Sequence, residues 1–431
     1  MPSLGLIHTT VDSTVTSTST SFAEVAESSA LTDGTDYYII ATGLVEGSSN
    51  SKVFEWQLVD RTNGDAVLTN STVKREPNTA DKCQSYSFVG KITAGRDGGG
   101  LAFEQKAASA STVRTQYLSI LILDLSSLAA TDFFYATDDT VADHTTTLAD
   151  RVTHTLTRRV DGETWLVFGW VATAMDNVGR SAEALLYYEQ GASNSSEPLM
   201  LYEGEDNTEQ LSAWVCRPYS FTNDTNVTWK IQSRDDQACS GCQNDYLGST
   251  LLGLRLAAFA NSESGYASAD QDTASTDFVQ IATDTLTPNA AGSVIAVGSA
   301  IFDAGSAGRD TYLRLQVDGT TSPNTQPDTE AAAVANDPTD QLAIQYATSY
   351  TGAAASAAVI DLDAKKTNGA SYGWEMVSLA AFTTELFGIV TFSSVAAEAY
   401  TSGSKASQSH DAGTVADQTH DAGAAASEAR P

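Results

Sequence analysis

Basic charge, cysteine, histidine and long apolar runs are all scarce in this 431-residue sequence, and each scarcity excludes something. Lys and Arg number 23, only nine of them Lys, against 54 acids of which 35 are Asp, for a formal charge of −31. Without a basic stripe nothing neutralises phosphates, so nucleic acid is excluded as a partner. No apolar run reaches the roughly eighteen residues of a membrane-spanning helix, so no membrane insertion is expected. The opening "MPSLGLIHTTVDST" has neither a basic segment nor a long apolar one, so a cleaved export signal is expected to be absent or already removed. A protein of this kind found outside a cell is expected to leave by assembly or lysis. The five histidines, His8, His144, His154, His410 and His420, leave few candidates for a general base. No nucleotide-binding glycine pattern occurs, and no stretch holds a 3.6-residue period over three turns.

What is present is a globular β composition. Apolar residues make up 42% of the chain and aromatics run from Phe22 to Tyr400, which rules out a wholly disordered chain. The length allows two to four domains. Dense carboxylates with few Lys and much Ala, Thr and Ser form the pattern of proteins that stay hydrated in molar salt.

The sequence repeats itself. "CQSYSF" at residues 83–88 returns as "CRPYSF" at 216–221, and the neighbours match too. Upstream lie "DYYIIATG", "TWLVFGW" and "SVIAVGSA", whose glycines Gly43, Gly169 and Gly298 are almost evenly spaced. Alternating segments follow: "KVFEWQLVD", "SAEALLYYE" and "DTYLRLQVD". The hexapeptide strand has a third version, "AIQYATSY", which keeps Tyr346 and lacks the Cys. Then come "LAFEQK", "NVTWKIQS" and "AAVIDLD", and each copy closes on an apolar strand such as "YLSILILDLSSL". Conserved order and spacing imply a unit used three times.

Each unit of roughly 115–130 residues with six to eight short strands predicts an antiparallel two-sheet sandwich. The fold class expected is all-β: three tandem jelly-roll-like sandwiches, residues 1–130, 131–262 and 263–384. Residues 385–431 add an extra strand and an extended Ser/Ala/Gly-rich tail. The apolar closing strand and "YYIIATG" read as neighbours in a central sheet, and the Cys–Trp–Cys pattern of immunoglobulin domains is missing. "TDDTVADHTTT" from Thr137 and "NSESGYASADQDTAST" from Asn261 read as polar linkers. The tail cannot build a core; if ordered, it must be held by other subunits. Its two HDAG copies put His410 and Asp411, and His420 and Asp421, forward as oligomer-locking residues.

The chemistry-bearing motifs are few. Cys239 and Cys242 form a C-x-x-C in a polar loop, where a structural disulfide within the pair or to Cys216 is expected over redox or zinc chemistry. Cys83 reads as a buried thiol. "GASYG" at residues 369–373 matches a nucleophile-elbow spacing but leads into a strand. Asp138–Asp139 and Asp235–Asp236 could ligate calcium but lack a regular loop spacing. Sequons stand at Asn70, Asn194, Asn223 and Asn226. Of the tryptophans Trp56, Trp165, Trp170, Trp214, Trp229 and Trp374, most alternate with apolar neighbours and read as core. No enzyme activity and no cofactor are expected, with structural cations the one allowance.

Over residues of about 1–384, the triple β-sandwich architecture and halophilic composition resemble the jelly-roll decoration, turret and fibre proteins of tailed double-stranded DNA viruses of haloarchaea. No specific motif carries the resemblance, so it transfers no site residue. It implies a structural virion protein, assembled in the host cytoplasm and extracellular when mature. It also implies a homo-oligomer, trimer or pentamer, touching other virion proteins such as the major capsid protein, and host surface glycans. Three sandwiches in series suggest a projecting stalk. The alternative is a carbohydrate-binding or adhesive β-sandwich protein using aromatic platforms.

Overall fold

Period-two segments rich in β-branched and aromatic residues fold as strands. The computed structural model describes residues 3–386, apart from 50–51, 76–81, 97, 144, 158–161, 176–180, 204–208, 223–224, 236–244, 268–270, 274–276, 304–308, 318–330, 336–340 and 367–371. Among the described residues there is no α-helix; Arg61–Asn63 and Leu256–Ala258 are single 3-10 turns. Among these residues no helix is therefore long and apolar enough to cross a membrane.

The first repeat contains β1 (Gly5–Val11), β2 (Val15–Ser17), β3 (Ala23–Glu27), β4 (Asp36–Gly47), β5 (Phe54–Asp60), β6 (Ala66–Val67), β7 (Val73–Arg75), β8 (Lys82–Thr93), β9 (Leu101–Lys106) and β10 (Val113–Asp124). The second contains β11 (Phe133–Asp138), β12 (Ala142–Asp143), β13 (Ala149–Leu156), β14 (Thr164–Met175), β15 (Ser181–Gln190), β16 (Ser193–Glu203), β17 (Glu209–Ser220), β18 (Val227–Asp235) and β19 (Asp245–Arg255). The third contains β20 (Ser262–Ala267), β21 (Gln271–Thr273), β22 (Val279–Leu286), β23 (Gly292–Asp303), β24 (Arg309–Val317), β25 (Ala331–Ala335), β26 (Gln341–Gly352), β27 (Ala358–Lys366) and β28 (Tyr372–Thr383).

The strand order is the same three times. In the first repeat β1-β10-β4-β8 forms one sheet and β3-β9-β5-β7 the other. The second repeat has β11-β19-β14-β17 with β13-β18-β15-β16, and the third β20-β28-β23-β26 with β22-β27-β24-β25. With the eight principal strands lettered B to I, every repeat reads B-I-D-G over C-H-E-F, the order of a jelly roll. A short continuation of the first strand (β2, β12, β21) pairs with the last strand each time. The pairing of strand C with strand H slips at one bulge in each repeat, between Glu24 and Ala26, Asp150 and Val152, and Gln280 and Ala282. A bulge on an edge strand blocks pairing with a stray chain.

Two of the three landmark glycines, Gly169 and Gly298, mark close approach of the two sheets. A Cβ on Gly169 would stand 3.0 Å from Ile231 Cδ1 and 3.1 Å from Leu186 Cδ1, and one on Gly298 2.8 Å from Leu362 Cδ1. Those leucine and isoleucine side chains come from the facing sheet, so only glycine lets them sit against strand D.

Three sequence expectations change. The two hexapeptides lie on the same strand of their repeats but out of register. Gly43 pairs with Tyr86 and Gly298 with Tyr346, whereas Gly169 pairs with Val215, four residues before Tyr219. A slip of four keeps every side chain on its face, so a period-two pattern cannot detect it. The polar segments from Thr137 and Asn261 are not linkers: they include the end of β11 and β12, and β20 and β21. Their polarity is that of edge strands. The connectors are 125–132 and 256–261, whose Leu125, Leu128, Leu256 and Phe259 are buried. Nor are the sandwiches strung out as a stalk. At two of the three seams their sheets join edge to edge, and their cores merge.

Candidate functional site

Strand β4 is buried along almost its whole length, on both faces. A sandwich covers only one face of a sheet, so near-continuous apolar sequence signals a second cover. That cover is the next repeat. Strand β8 lies across β14 and β19, β17 across β23 and β28, and β26 across β4 and β10. The same three strands are flanked by strand F of the preceding repeat. Lys74 of β7 is paired with Gln210 of β17, and Met200 and Leu201 of β16 with Leu342 and Gln341 of β26. Strand β25 lies beside β8 and completes the cycle. Repeat one meets two, two meets three and three meets one, each through the same elements. The chain is a closed ring about a threefold pseudo-axis.

The register carries the equivalence down to single residues. One residue beyond the glycine partner, on the central strands, stand Ser87, Cys216 and Ala347. Each backbone carbonyl accepts a hydrogen bond from the following repeat in the cycle. Trp170 Nε1 donates to Ser87 O at 3.3 Å, Ser299 Oγ to Cys216 O at 3.1 Å, and Tyr117 Oη to Ala347 O at 3.5 Å. Three different side chains satisfy one requirement, because a buried carbonyl left unpaired is costly.

One residue before the glycine partner stand Ser85, Trp214 and Gln345. The Gln345 amide is satisfied when its oxygen accepts from Ser85 Oγ at 2.7 Å and its nitrogen donates to Ala343 O and Trp214 O. One buried side chain thus ties all three repeats. Trp214 Nε1 also donates to Ala41 O, and Ser212 Oγ to Ser87 O.

Each seam adds its own polar device. Between repeats one and two, Arg75 Nη1 and Glu209 Oε1 pair at 3.0 Å with side chains 4% and 0% exposed. Beside this seam, Phe133 and Tyr135 of β11 pack edge-on against Tyr38. Between two and three, Arg217 pairs with Glu197 and lies over the rings of Tyr219 and Tyr266, at 4.6 and 4.1 Å. Tyr266 Oη donates to Glu197 at 2.9 Å. Burial pushes the Glu197 carboxyl up, and Arg217 and the Tyr266 hydrogen bond pull it back. Between three and one, the His8 ring lies between Ser119 Oγ (Nε2, 2.9 Å) and Ser349 Oγ (Nδ1, 2.8 Å). Burial lowers its pKa to about 4. Tyr117 stacks on Tyr346 beside it, ring centroids 4.9 Å apart.

The residues singled out from sequence are placed as follows. Cys216 is a free, buried thiol within 3.5 Å of Ser299 Oγ and 3.9 Å of Ser378 Oγ. Burial pushes its pKa up to about 11. A bridge from Cys216 to the C-x-x-C loop is therefore not formed in this structure. Cys239 and Cys242, the side chain of Cys83, and His410, Asp411, His420 and Asp421 lie outside the described residues. Trp56, Trp165, Trp170, Trp214 and Trp229 are fully buried, so they offer no sugar platform; the Trp374 side chain is outside the described set. Among the described residues no cluster of three or more His, Cys, Asp or Glu could hold a metal. Burial raises the Asp139 pKa, and its carboxylate accepts from Asn70 Nδ2 at 3.5 Å. Tyr372 and Gly373 of "GASYG" open β28, a strand, rather than leading into a helix.

The seam residues His8, Arg75, Glu197, Glu209, Arg217 and Tyr266 were not legible as a site. Each sits singly in an ordinary strand, and only topology brings the partners together. The available signal was the unbroken burial pattern of strand D.

No protein-family model and no curated protein matches the chain. Solved structures similar to it include viral ones. One is the atomic structure of Sulfolobus turreted icosahedral virus, at 12% identity over 84% of each chain, with a TM-score of 0.19. Another is infectious bursal disease virus, Gt strain, at 8% identity over 90% of this chain and 82% of that one, with a TM-score of 0.23. A third is the CBM22-1–CBM22-2 tandem domain of Paenibacillus barcinonensis Xyn10C, at 8% identity over 57% and 92%, with a TM-score of 0.20. At scores this low the matches carry no argument about function.

Proposed function

We propose that the chain is a non-enzymatic structural protein of a virus particle, of the kind that decorates or projects from a head or tail. The observation behind this reading is the ring itself: three jelly rolls in one chain, with buried polar contacts at every seam between repeats. Jelly rolls are a recurrent fold of viral capsid and lectin domains. Five of the six tryptophans, the side chains a lectin would present, are instead interior here, which favours the architectural role. The surface agrees with a particle exposed to concentrated salt. Bases are tied up by carboxylates or rings, as in Lys91–Asp36, Lys106–Glu55, Lys230–Asp150, Arg234–Glu183 and Arg314–Asp363, which leaves the excess acid facing solvent. The host implied by that composition is a haloarchaeon.

Mass spectrometry of purified virions, with immunogold labelling, tests the reading. The chain is expected among the abundant virion proteins and on the outside. Its absence from intact particles, together with binding to defined glycans on an array, would favour the adhesive alternative.

A further inference from the structure

We propose that this chain takes by itself the place of a homotrimer, and that its partner surface offers three equivalent sites around a threefold axis. The inference rests on the structural-protein reading above. Homotrimers arise when one interface is repeated by rotation until it closes. Here the interface, strand F of one repeat beside strand G of the next, is already used three times within one chain. Closure occupies every copy of both edges, so the same interface cannot recruit a second chain. The start of repeat one also meets the segment just past repeat three. Ser3 bridges Glu385 in antiparallel fashion, and Leu4 N donates to Thr384 O at 2.7 Å.

A second observation concerns the outward C-H-E-F sheets. Ala23 pairs with Gln105, Ala149 with Ser233 and Val279 with Ala364, so the next residues on strand H, Lys106, Arg234 and Lys365, are equivalent. In a chain with 23 bases, one recurs at this single outward position in all three repeats. The residue before strand C is apolar each time: Phe22, Leu148 and Phe278. Lys106 lies 5.4 Å over the Phe22 ring and Lys365 4.5 Å over the Phe278 ring. Lys106 pairs with Glu55, directly across on strand E, and Arg234 with Glu183. Each base keeps a partner within its own repeat, a carboxylate or a ring, that fixes where it stands. The recurrence of the base suits three equivalent contacts with an acidic protein surface.

Two measurements decide the proposal. Sedimentation equilibrium of the full chain in molar KCl is expected to give the mass of one 45.3 kDa chain. Cryo-electron microscopy of particles is expected to show single-chain density on threefold axes, with one chain per three shell subunits by quantitative mass spectrometry. The triple variant Lys106→Glu, Arg234→Glu, Lys365→Glu should keep the wild-type circular dichroism and lose most particle incorporation. A stable trimer of chains, density on fivefold or general positions, or full incorporation of a folded triple variant overturns the proposal and leaves the structural-protein reading standing. Absence from particles overturns that reading instead.

Discussion

Acid should loosen the ring at the seam between repeats one and three. His8 is held there between two serine hydroxyls, one from each repeat. Burial lowers its pKa from 6.5 to about 4. In the unfolded chain the same imidazole titrates near 6.5, so between these values the unfolded state binds more protons than the folded one. Stability is therefore complete above pH 6.5 and declines as the pH falls toward 4. At 1.36 kcal/mol per pK unit the whole window amounts to at most about 3.4 kcal/mol, and the step from pH 7 to pH 5 to about 2 kcal/mol. Residual solvent contact of the ring makes both upper figures. Asp12, Asp139, Glu197 and Asp363, whose carboxyls burial raises, act with the opposite sign and would mask part of the loss. The comparison that isolates His8 is wild type against His8→Gln, by urea unfolding at both pH values followed by tryptophan fluorescence in molar KCl. Wild type should lose about 2 kcal/mol more than the variant on going to pH 5. Equal losses in the two proteins would refute the reasoning.

Four further outcomes are expected. The melting temperature should climb with KCl into the molar range, since a chain at −31 repels itself until salt screens it; a flat or falling curve would remove the halophilic reading. Cys216, with its pKa pushed up to about 11, should resist maleimide in the native protein and react on unfolding, as peptide mapping would show; prompt native labelling would contradict its burial. Glu209→Ala removes the carboxylate paired with the buried Arg75 and should cost about 3–5 kcal/mol by denaturant titration, whereas a cost under 1 kcal/mol would mean the pair is solvated. Deleting residues 401–431 should leave circular dichroism and melting of the repeats unchanged while weakening incorporation into particles; unchanged incorporation would make the tail a passive extension.

Much of the fold was legible because strands advertise themselves through alternation. "FEWQLVD" places Phe54, Trp56 and Leu58 in the core, and Leu313, Leu315 and Val317 do the same in the third repeat. The pairing of the closing strand with "DYYIIATG" was legible too, since both are apolar throughout. Strand F was not. In the first repeat it is the three-residue β7, in the third the featureless "AAAVA", and short edges carry no period to read. The register of the second hexapeptide failed for a related reason, an even slip being invisible to a period of two. The ring lay beyond sequence because its contacts join residues far apart in the chain, such as Thr42 Oγ1 donating to Gln345 O at 2.9 Å. The long double-buried strands were its one trace.

The closed ring can be tested on the protein itself. Ser3 and Glu385 are bridge partners at the start of repeat one and just past the end of repeat three, whereas a linear array would hold them at opposite ends. The double variant Ser3→Cys, Glu385→Cys, oxidised at low concentration in molar KCl, should form an intramolecular disulfide, identified as a linked peptide pair by mass spectrometry, because bridge partners bring the Cα atoms within the roughly 4.4–6.8 Å that a disulfide spans. Failure to form it, or formation only between chains, would contradict the ring.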